Sequence, residues 1–185
     1  MGENKPEAPT TEIKANGTLT DKGVTINDRS SIDALSSRGY GTTENNKLTL
    51  AFHEALYLLD KEMLTVDDKK GNKIDFQRLL ESYKKKNENA WVSYLVYRDL
   101  RSRGYVVREG FGENIAFRIY ERGTYGKDTA PYMIMSTQEG QPLPIEELTK
   151  ALQLCKNQKK ELILTVMNRR GETVYYSVGE LRIPP

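Results

Sequence analysis

The chain reads as an α/β protein of the α+β kind. A small mixed α/β domain spans about 17–87, and a second domain, 88–185, carries a mixed five-stranded sheet flanked by helices. Three observations predict this. The length of 185 residues accommodates two small cores. Apolar spacing switches between periods of 3.6 and 2 along the chain. The polar run Lys84-Lys-Lys-Asn-Glu-Asn89 separates the two halves.

Residues 1–16 are polar, rich in Glu, Pro and Thr, and predict a disordered tail. Thr18 to Ile26 predicts short strands around Lys22-Gly23, and Ser30 to Ser37 a helix with Ile32 and Leu35 inward and Gly39 past its end. Leu48 to Met63 predicts a longer helix with Thr49 as N-cap and Phe52, Leu56 and Leu59 at helical spacing. Strand and turn follow over Thr65 to Ile74. Asp75 then caps a helix carrying Phe76, Leu79, Leu80 and Tyr83.

In the second half, a helix through Trp91, Tyr94, Leu95 and Leu100 stops at Gly104, a left-handed C′ position. Strands are predicted at Tyr105–Arg108, Ile115–Tyr120 and Tyr132–Ser136. Pro144 opens a helix containing Leu148, Ala151, Leu152 and Cys155. Glu161–Met167 is almost continuously apolar and predicts the centre of the sheet. The turn Asn168-Arg-Arg-Gly171 leads to a last strand, Thr173–Val178.

Composition narrows the function classes. Apolar residues make up 37% and charged residues 29%, with no apolar run near eighteen residues, so no membrane helix is expected. The N-terminus shows neither an apolar leader nor a myristoylation motif, and the cytoplasm is the expected location. The lone Cys155 excludes an internal disulfide and a Cys-rich zinc site. No phosphate loop, carboxylate pair or metal-ligand spacing appears, and no cofactor is expected. Residues 1–90 carry 14 Lys/Arg against 15 Asp/Glu, and residues 91–185 carry 14 against 11, so the basic excess lies in the second half.

The candidate chemistry lies in Tyr94-Leu-Val-Tyr-Arg-Asp-Leu-Arg-Ser-Arg-Gly-Tyr-Val-Val107 and Phe117-Arg-Ile-Tyr-Glu-Arg-Gly123. Tyr120 ends a strand between Arg118 and Arg122, where neighbouring guanidinium favours phenolate and equips a phenol to accept a hydroxyl proton. Lys160, just before the buried strand, is placed to hold an ammonium towards a phosphate. RNA cleavage by the adjacent 2′-OH needs a base, an acid for the leaving 5′-oxygen and a cation for the dianionic transition state. Base and cation have candidates here; the acid does not. The competing readings are packing for Tyr120, a solvated helix end for Lys159-Lys160, half-buried filler for His53 and core for Cys155.

On these residues the chain resembles the archaeal tRNA-splicing (tRNA-intron) endonucleases. The likeness runs from about Gly17 to Ile183. It rests on Arg38-Gly-Tyr40, Glu54-Ala-Leu-Tyr-Leu-Leu59, Tyr97-Arg-Asp-Leu-Arg-Ser-Arg-Gly-Tyr105, Phe117 to Gly123, Lys159-Lys-Glu-Leu-Ile-Leu164 and Val174-Tyr-Tyr-Ser-Val178. The resemblance implies a restriction-endonuclease-like C-terminal domain and four-subunit assemblies that cut precursor tRNA at bulge–helix–bulge motifs. It also implies metal-independent cleavage leaving a 2′,3′-cyclic phosphate and a 5′-hydroxyl. The family's Tyr, His, Lys trio maps to Tyr120 and to Lys160, with Lys159 as a register alternative. Its histidine belongs in a Gly-Lys-Glu-His segment, where this chain has Gly126-Lys-Asp-Thr129. Thr129 is no general acid at neutral pH, whereas histidine titrates near it. Phe111-Gly112 is also separated from Phe117 by Glu-Asn-Ile-Ala, so Ala116 replaces an expected Asp.

The resemblance therefore implies a structural, non-catalytic subunit, joined in a heterotetramer to a homologue that keeps the histidine. Arg118, Arg122 and Lys127 are the candidate RNA contacts. Arg169, Arg170, Gly171 and Glu172 form the candidate docking loop, which is basic here and typically acidic in the family. Either the partner's cleft has exchanged charge sign, or this chain receives the partner's acidic loop. A self-sufficient nuclease with another acid, and a tRNA-binding module without cleavage, are the alternatives.

Overall fold

The computed structural model describes residues 13–112 and 114–181. The first twelve residues of the predicted tail, and Arg182 and Ile183 at the end of the family likeness, lie outside them. The tail was read too long. Ile13 and Ala15 are buried, and Ala15 and Asn16 already belong to the first strand.

The first sheet has six strands in the order β3-β4-β2-β1-β5-β6. β1 (Ala15–Thr20) and β2 (Gly23–Ile26) form an antiparallel hairpin. Helix α1 (Arg29–Ser36) starts where the Asp28 carboxylate accepts the Ser31 N–H at 2.8 Å and buries Ile32 and Leu35.

The next segment corrects the expectation. Leu48, Thr49 and Leu50 are strand, paired in β4 (Lys47–Leu50) with β3 (Thr42–Glu44). Asn45 and Asn46, with φ of 49° and 60°, form the two-residue turn that a tight hairpin requires. Helix α2 (Phe52–Asp60) therefore begins after Ala51, and Thr49 is not its N-cap. Ala51 has no side-chain acceptor; instead Glu54 reaches back and accepts the Ala51 N–H at 2.9 Å.

β5 (Leu64–Asp67) runs parallel to β1, and β6 (Lys73–Ile74) closes the edge. Asp75 caps α3 (Phe76–Lys84) as predicted, accepting the Arg78 N–H at 2.8 Å. Helix α4 (Ala90–Ser102) ends in a Schellman motif. Gly104 sits at φ 91°, its N–H meets the Arg101 carbonyl at 3.0 Å, and the Tyr105 N–H meets that of Leu100 at 3.3 Å.

The second sheet has the order β11-β10-β9-β8-β7. Its strands are β7 (Val106–Glu109), β8 (Phe117–Tyr120), β9 (Tyr132–Gln138), β10 (Glu161–Met167) and β11 (Thr173–Val178). Only β9 and β10 are parallel, joined by crossover helix α5 (Ile145–Asn157). The predicted centre shifts by one strand: β9 is central and β10 is next to the edge. The apolar run of β10 reflects cover on both faces rather than a central place. Ile163 packs towards the main core, and Leu162 joins Met133, Met135, Ala151 and Cys155 under α5.

One core cluster joins the two sheets. Residues of β1, β2, β4 and β5 continue through α2, α3 and α4 to Val107, Phe117, Ile119 and Ile134. Among the described residues no helix is long and apolar enough to cross a membrane.

Candidate functional site

Strand register brings the candidate residues to one end of the second sheet. Ile119 pairs with Tyr132, and Tyr132 with Glu161. Continued by one residue, that register sets Tyr120, at the end of β8, in a row with Pro131 and Lys160, which immediately precede β9 and β10. Residues in a row share a face, and two inter-strand spacings put the backbones of Tyr120 and Lys160 roughly 10 Å apart. Arg118, Met133 and Leu162 lie on that face, which is the one covered by α5.

The side chains follow from this frame. Tyr120 is half-buried, its ring edge-on to that of Tyr125 at 5.1 Å. The Lys160 ammonium donates to the carbonyl of Ala130, immediately after Thr129. Lys159 is exposed with a left-handed backbone at φ 55°, so Lys160 is the lysine the sheet directs towards this segment. Glu121 to Asp128 turns tightly, with Lys127 and Asp128 N–H groups both on the Thr124 carbonyl at 3.0 Å. Thr129 and Lys127 are exposed.

The other candidates separate. The Arg118 guanidinium lies over the Phe111 ring at 5.4 Å, and its Nε is buried without a partner among the described residues. It lines a cavity of about 440 Å³ with Lys22, Arg108 and Glu54, between the first sheet and the β7–β8 edge. Arg122 is exposed on a different cavity. Residues Arg169 and Arg170 stand exposed at the tip of the β10–β11 hairpin. There the Asn168 carboxamide oxygen accepts the N–H groups of Arg170 at 2.9 Å and Glu172 at 3.0 Å.

His53 is not half-buried filler: it is 3% exposed, on the inner side of α2. Its ring lies 4.7 Å from that of Tyr97 and 5.0 Å from that of Phe117, and Nε2 has no hydrogen-bond partner. Burial, helped by the nearby Arg108 cation, pushes its pKa down to about 3. Cys155 is core, as expected, with its thiol at 3.4 Å from the Met133 sulfur. Among the described residues no group of three or more His, Cys, Asp or Glu side chains is placed to hold a metal ion.

Sequence reasoning missed the seam between the sheets. Glu54, almost fully buried, pairs with Arg108 at 3.4 Å and accepts the Gly41 N–H at 3.1 Å. Burial raises the Glu54 pKa, against the opposing pull of Arg108 and the two backbone N–H donors. Arg108 also donates to the Gly39 carbonyl at 3.2 Å and to Thr42 at 3.1 Å. The only signal for these contacts was the presence of both residues in quoted or neighbouring motifs.

A sequence model of the tRNA intron endonuclease N-terminal domain matches residues 15–80, and one of the catalytic C-terminal domain of the same enzymes matches residues 90–176. The chain belongs to the tRNA-intron endonuclease family. A tRNA-splicing endonuclease of Methanococcus vannielii is 34% identical over 165 residues, covering 89% of this chain and 93% of the relative. One from Methanococcus maripaludis is 33% identical over the same shares. One from Pyrococcus furiosus is 33% identical over 142 residues, 77% of this chain and 81% of the relative. Both halves of the tRNA-intron endonuclease architecture are thus accounted for, and the Tyr120–Lys160 row falls in the C-terminal one.

Proposed function

We propose that this chain is a structural, non-catalytic subunit of a heterotetrameric tRNA-splicing endonuclease. The assembly would cut precursor tRNA at bulge–helix–bulge motifs in the cytoplasm and leave 2′,3′-cyclic phosphate and 5′-hydroxyl ends. The observation that carries the reading is the fate of the single imidazole. His53, the chain's only histidine, is locked in the core with its pKa pushed down to about 3. Thr129 stands where the resemblance puts the acid.

The chemistry explains why that matters. A base takes the 2′-OH proton, the 2′-oxygen attacks phosphorus, and the departing 5′-oxygen must take up a proton. In this chemistry Tyr120 would take the first task, and Lys160 would meet the charge of the dianionic transition state. A threonine hydroxyl does not release a proton at neutral pH. Loss of a general acid typically lowers a rate about 10²–10⁴-fold.

Two surfaces fit assembly. β11 is an edge strand whose outer residues Val174 and Tyr176 are 48% and 52% exposed, suited to pairing with a second subunit's strand. The cavity at Arg118, whose Nε has no partner among the described residues, offers that guanidinium to a carboxylate from a partner's acidic loop, although Glu44, Glu54 and Glu109 line it beside Lys22 and Arg108. This favours the arrangement in which the chain receives that loop. The family's partner in this reading is a homologue retaining the Gly-Lys-Glu-His segment.

Purified alone, the chain is expected not to cleave a bulge–helix–bulge RNA at stoichiometric protein. Mixed with the histidine-containing homologue it forms a cutting heterotetramer, in which Tyr120→Phe leaves the rate nearly unchanged. Robust cutting by the isolated chain, abolished by Tyr120→Phe, would overturn this in favour of a self-sufficient nuclease. The retained Tyr120–Lys160 row is the observation favouring that second reading.

A further inference from the structure

A cavity of about 400 Å³ opens where the end of α1, the end of α4 and the chain after β8 meet, on the solvent side of Val106, the ladder partner of Tyr120. Four arginines line it, Arg38, Arg101, Arg103 and Arg122, together with Tyr40 and Tyr105, and among the described residues no Asp or Glu does. Their neutralisation is uneven. Arg103 pairs with Asp99 at 2.7 Å. Arg101 stacks on Tyr40 with its guanidinium carbon 3.9 Å from the ring centroid. It also donates to the carbonyls of Arg38 at 3.2 Å and Tyr105 at 3.4 Å. Among the described residues no carboxylate lies within salt-bridge reach of Arg38, Arg101 or Arg122.

A bland explanation exists for part of this. The C-terminal ends of α1 and α4 both point here, and cations at helix C-termini are favourable by about 0.3–1 kcal/mol each. That explains Arg101, which lies in the last turn of α4. It does not explain Arg38 and Arg122, whose side chains are exposed and extend the positive charge without a partner. Elsewhere half-buried arginines go both ways: Arg108 sits against a carboxylate, whereas Arg118 lies over the Phe111 ring without an ion pair among the described residues. Three unneutralised guanidiniums around one cavity form a site for an anion. The planar fork of N–H donors matches phosphate oxygens in particular.

We propose that Arg38, Arg101 and Arg122 bind phosphates of an RNA strand, beside the Tyr120 end of the sheet rather than within the Tyr120–Lys160 row. The ligand is a phosphodiester backbone and not an acidic peptide. The three cations come from separate segments spread along an open surface, and the cavity they line includes Val106, the ladder partner of Tyr120. Arg101 is the fixed member, held by Tyr40 and two carbonyls; Arg38 and Arg122 are the exposed flanks. The proposal rests on the family reading above but not on whether the chain itself cuts.

The test uses the full-length chain and a fluorescent bulge–helix–bulge RNA with 2′-deoxy substitutions at the scissile nucleotides, so that binding is read without cleavage. Arg38→Ala/Arg122→Ala is expected to weaken binding about tenfold or more near 0.15 M salt. It should also make the slope of log affinity against log salt shallower by about 1 to 2. Arg38→Lys/Arg122→Lys should largely restore the slope. Wild-type binding with unchanged affinity and slope in the Ala pair overturns the phosphate site alone. A wild-type chain that binds no such RNA, alone or together with the histidine-containing homologue, overturns it together with the functional reading. Loss of association with the histidine-containing homologue, with RNA binding intact, reassigns the patch to protein contact and also overturns it.

Discussion

The β7–β8 ladder has two ends, and they treat arginine in opposite ways. At the Arg108↔Arg118 end, Arg108 is enclosed by Glu54, Thr42 and the Gly39 carbonyl, and it ties the first sheet to the second. At the Val106↔Tyr120 end, Arg38, Arg101 and Arg122 gather without a carboxylate. The Arg108–Glu54 pair at the first end is a closed joint: both charges are largely desolvated, so each is tolerable only with its partner present, whereas Arg118 beside it makes no ion pair among the described residues. The second is open, and its charge is left for something outside the chain. The difference separates arginines that hold the fold from arginines available to a ligand, a distinction that counting basic residues near a motif does not make.

The closed end should break most severely. Glu54→Ala removes the carboxylate facing Arg108 and the acceptor for the Gly41 and Ala51 N–H groups in one substitution. A buried guanidinium left unpaired costs about 3–5 kcal/mol, so urea denaturation should show a loss of that order. A loss below about 1 kcal/mol would mean that water reaches Arg108 and that the joint is not closed.

These two ends differ in how far the sequence revealed them. Local features were readable because their causes are local. Asp75 caps α3, Gly104 stops α4, and the turn at Asn168 to Gly171 closes the β10–β11 hairpin. The β3–β4 hairpin was lost because Leu48, Phe52 and Leu56 also fit a helical face. Its real signal was the Asn45-Asn46 pair, which tolerates the left-handed backbone of a tight turn. The Glu54–Arg108 pair spans 54 residues and the Arg101–Arg38 contact 63, and no periodicity encodes such meetings. Tyr120 and Lys160 were singled out by strand position and resemblance. Their shared row follows from β9 lying between their strands, which chain order alone does not specify.

A second perturbation of the closed end works through protons. His53 has an unfolded pKa near 6.5 and a folded value of about 3, lowered first by burial and then by Arg108. Above pH 6.5 the ring is neutral in both states and contributes no pH dependence. As the pH falls below 6.5, the unfolded chain gains a proton that the folded chain refuses, so stability drops by about 1.4 kcal/mol per unit until roughly pH 3. Between pH 7 and 5 the wild type should therefore lose about 2 kcal/mol more than His53→Leu. Glu54, with its raised pKa, acts in the opposite sense but is present in both proteins, so the difference isolates the imidazole. Equal slopes would show that His53 takes up a proton in the folded state. A titrating imidazole would weaken the case that the chain's only histidine is unavailable as an acid.

The smallest expected effect is at the open end, and its smallness is informative. Arg38 and Arg122 are exposed and make no ion pair among the described residues. Replacing both with Ala should change stability by no more than about 0.5 kcal/mol. The change should be slightly favourable at low salt, because like charges are removed from around Arg101, and the advantage should shrink as salt screens that repulsion. A loss above about 1 kcal/mol would instead mean that these side chains hold α1 against α4, as Arg108 holds the other end. The two ends would then be alike, and the arginines at Tyr120 would belong to the fold before they belonged to any RNA.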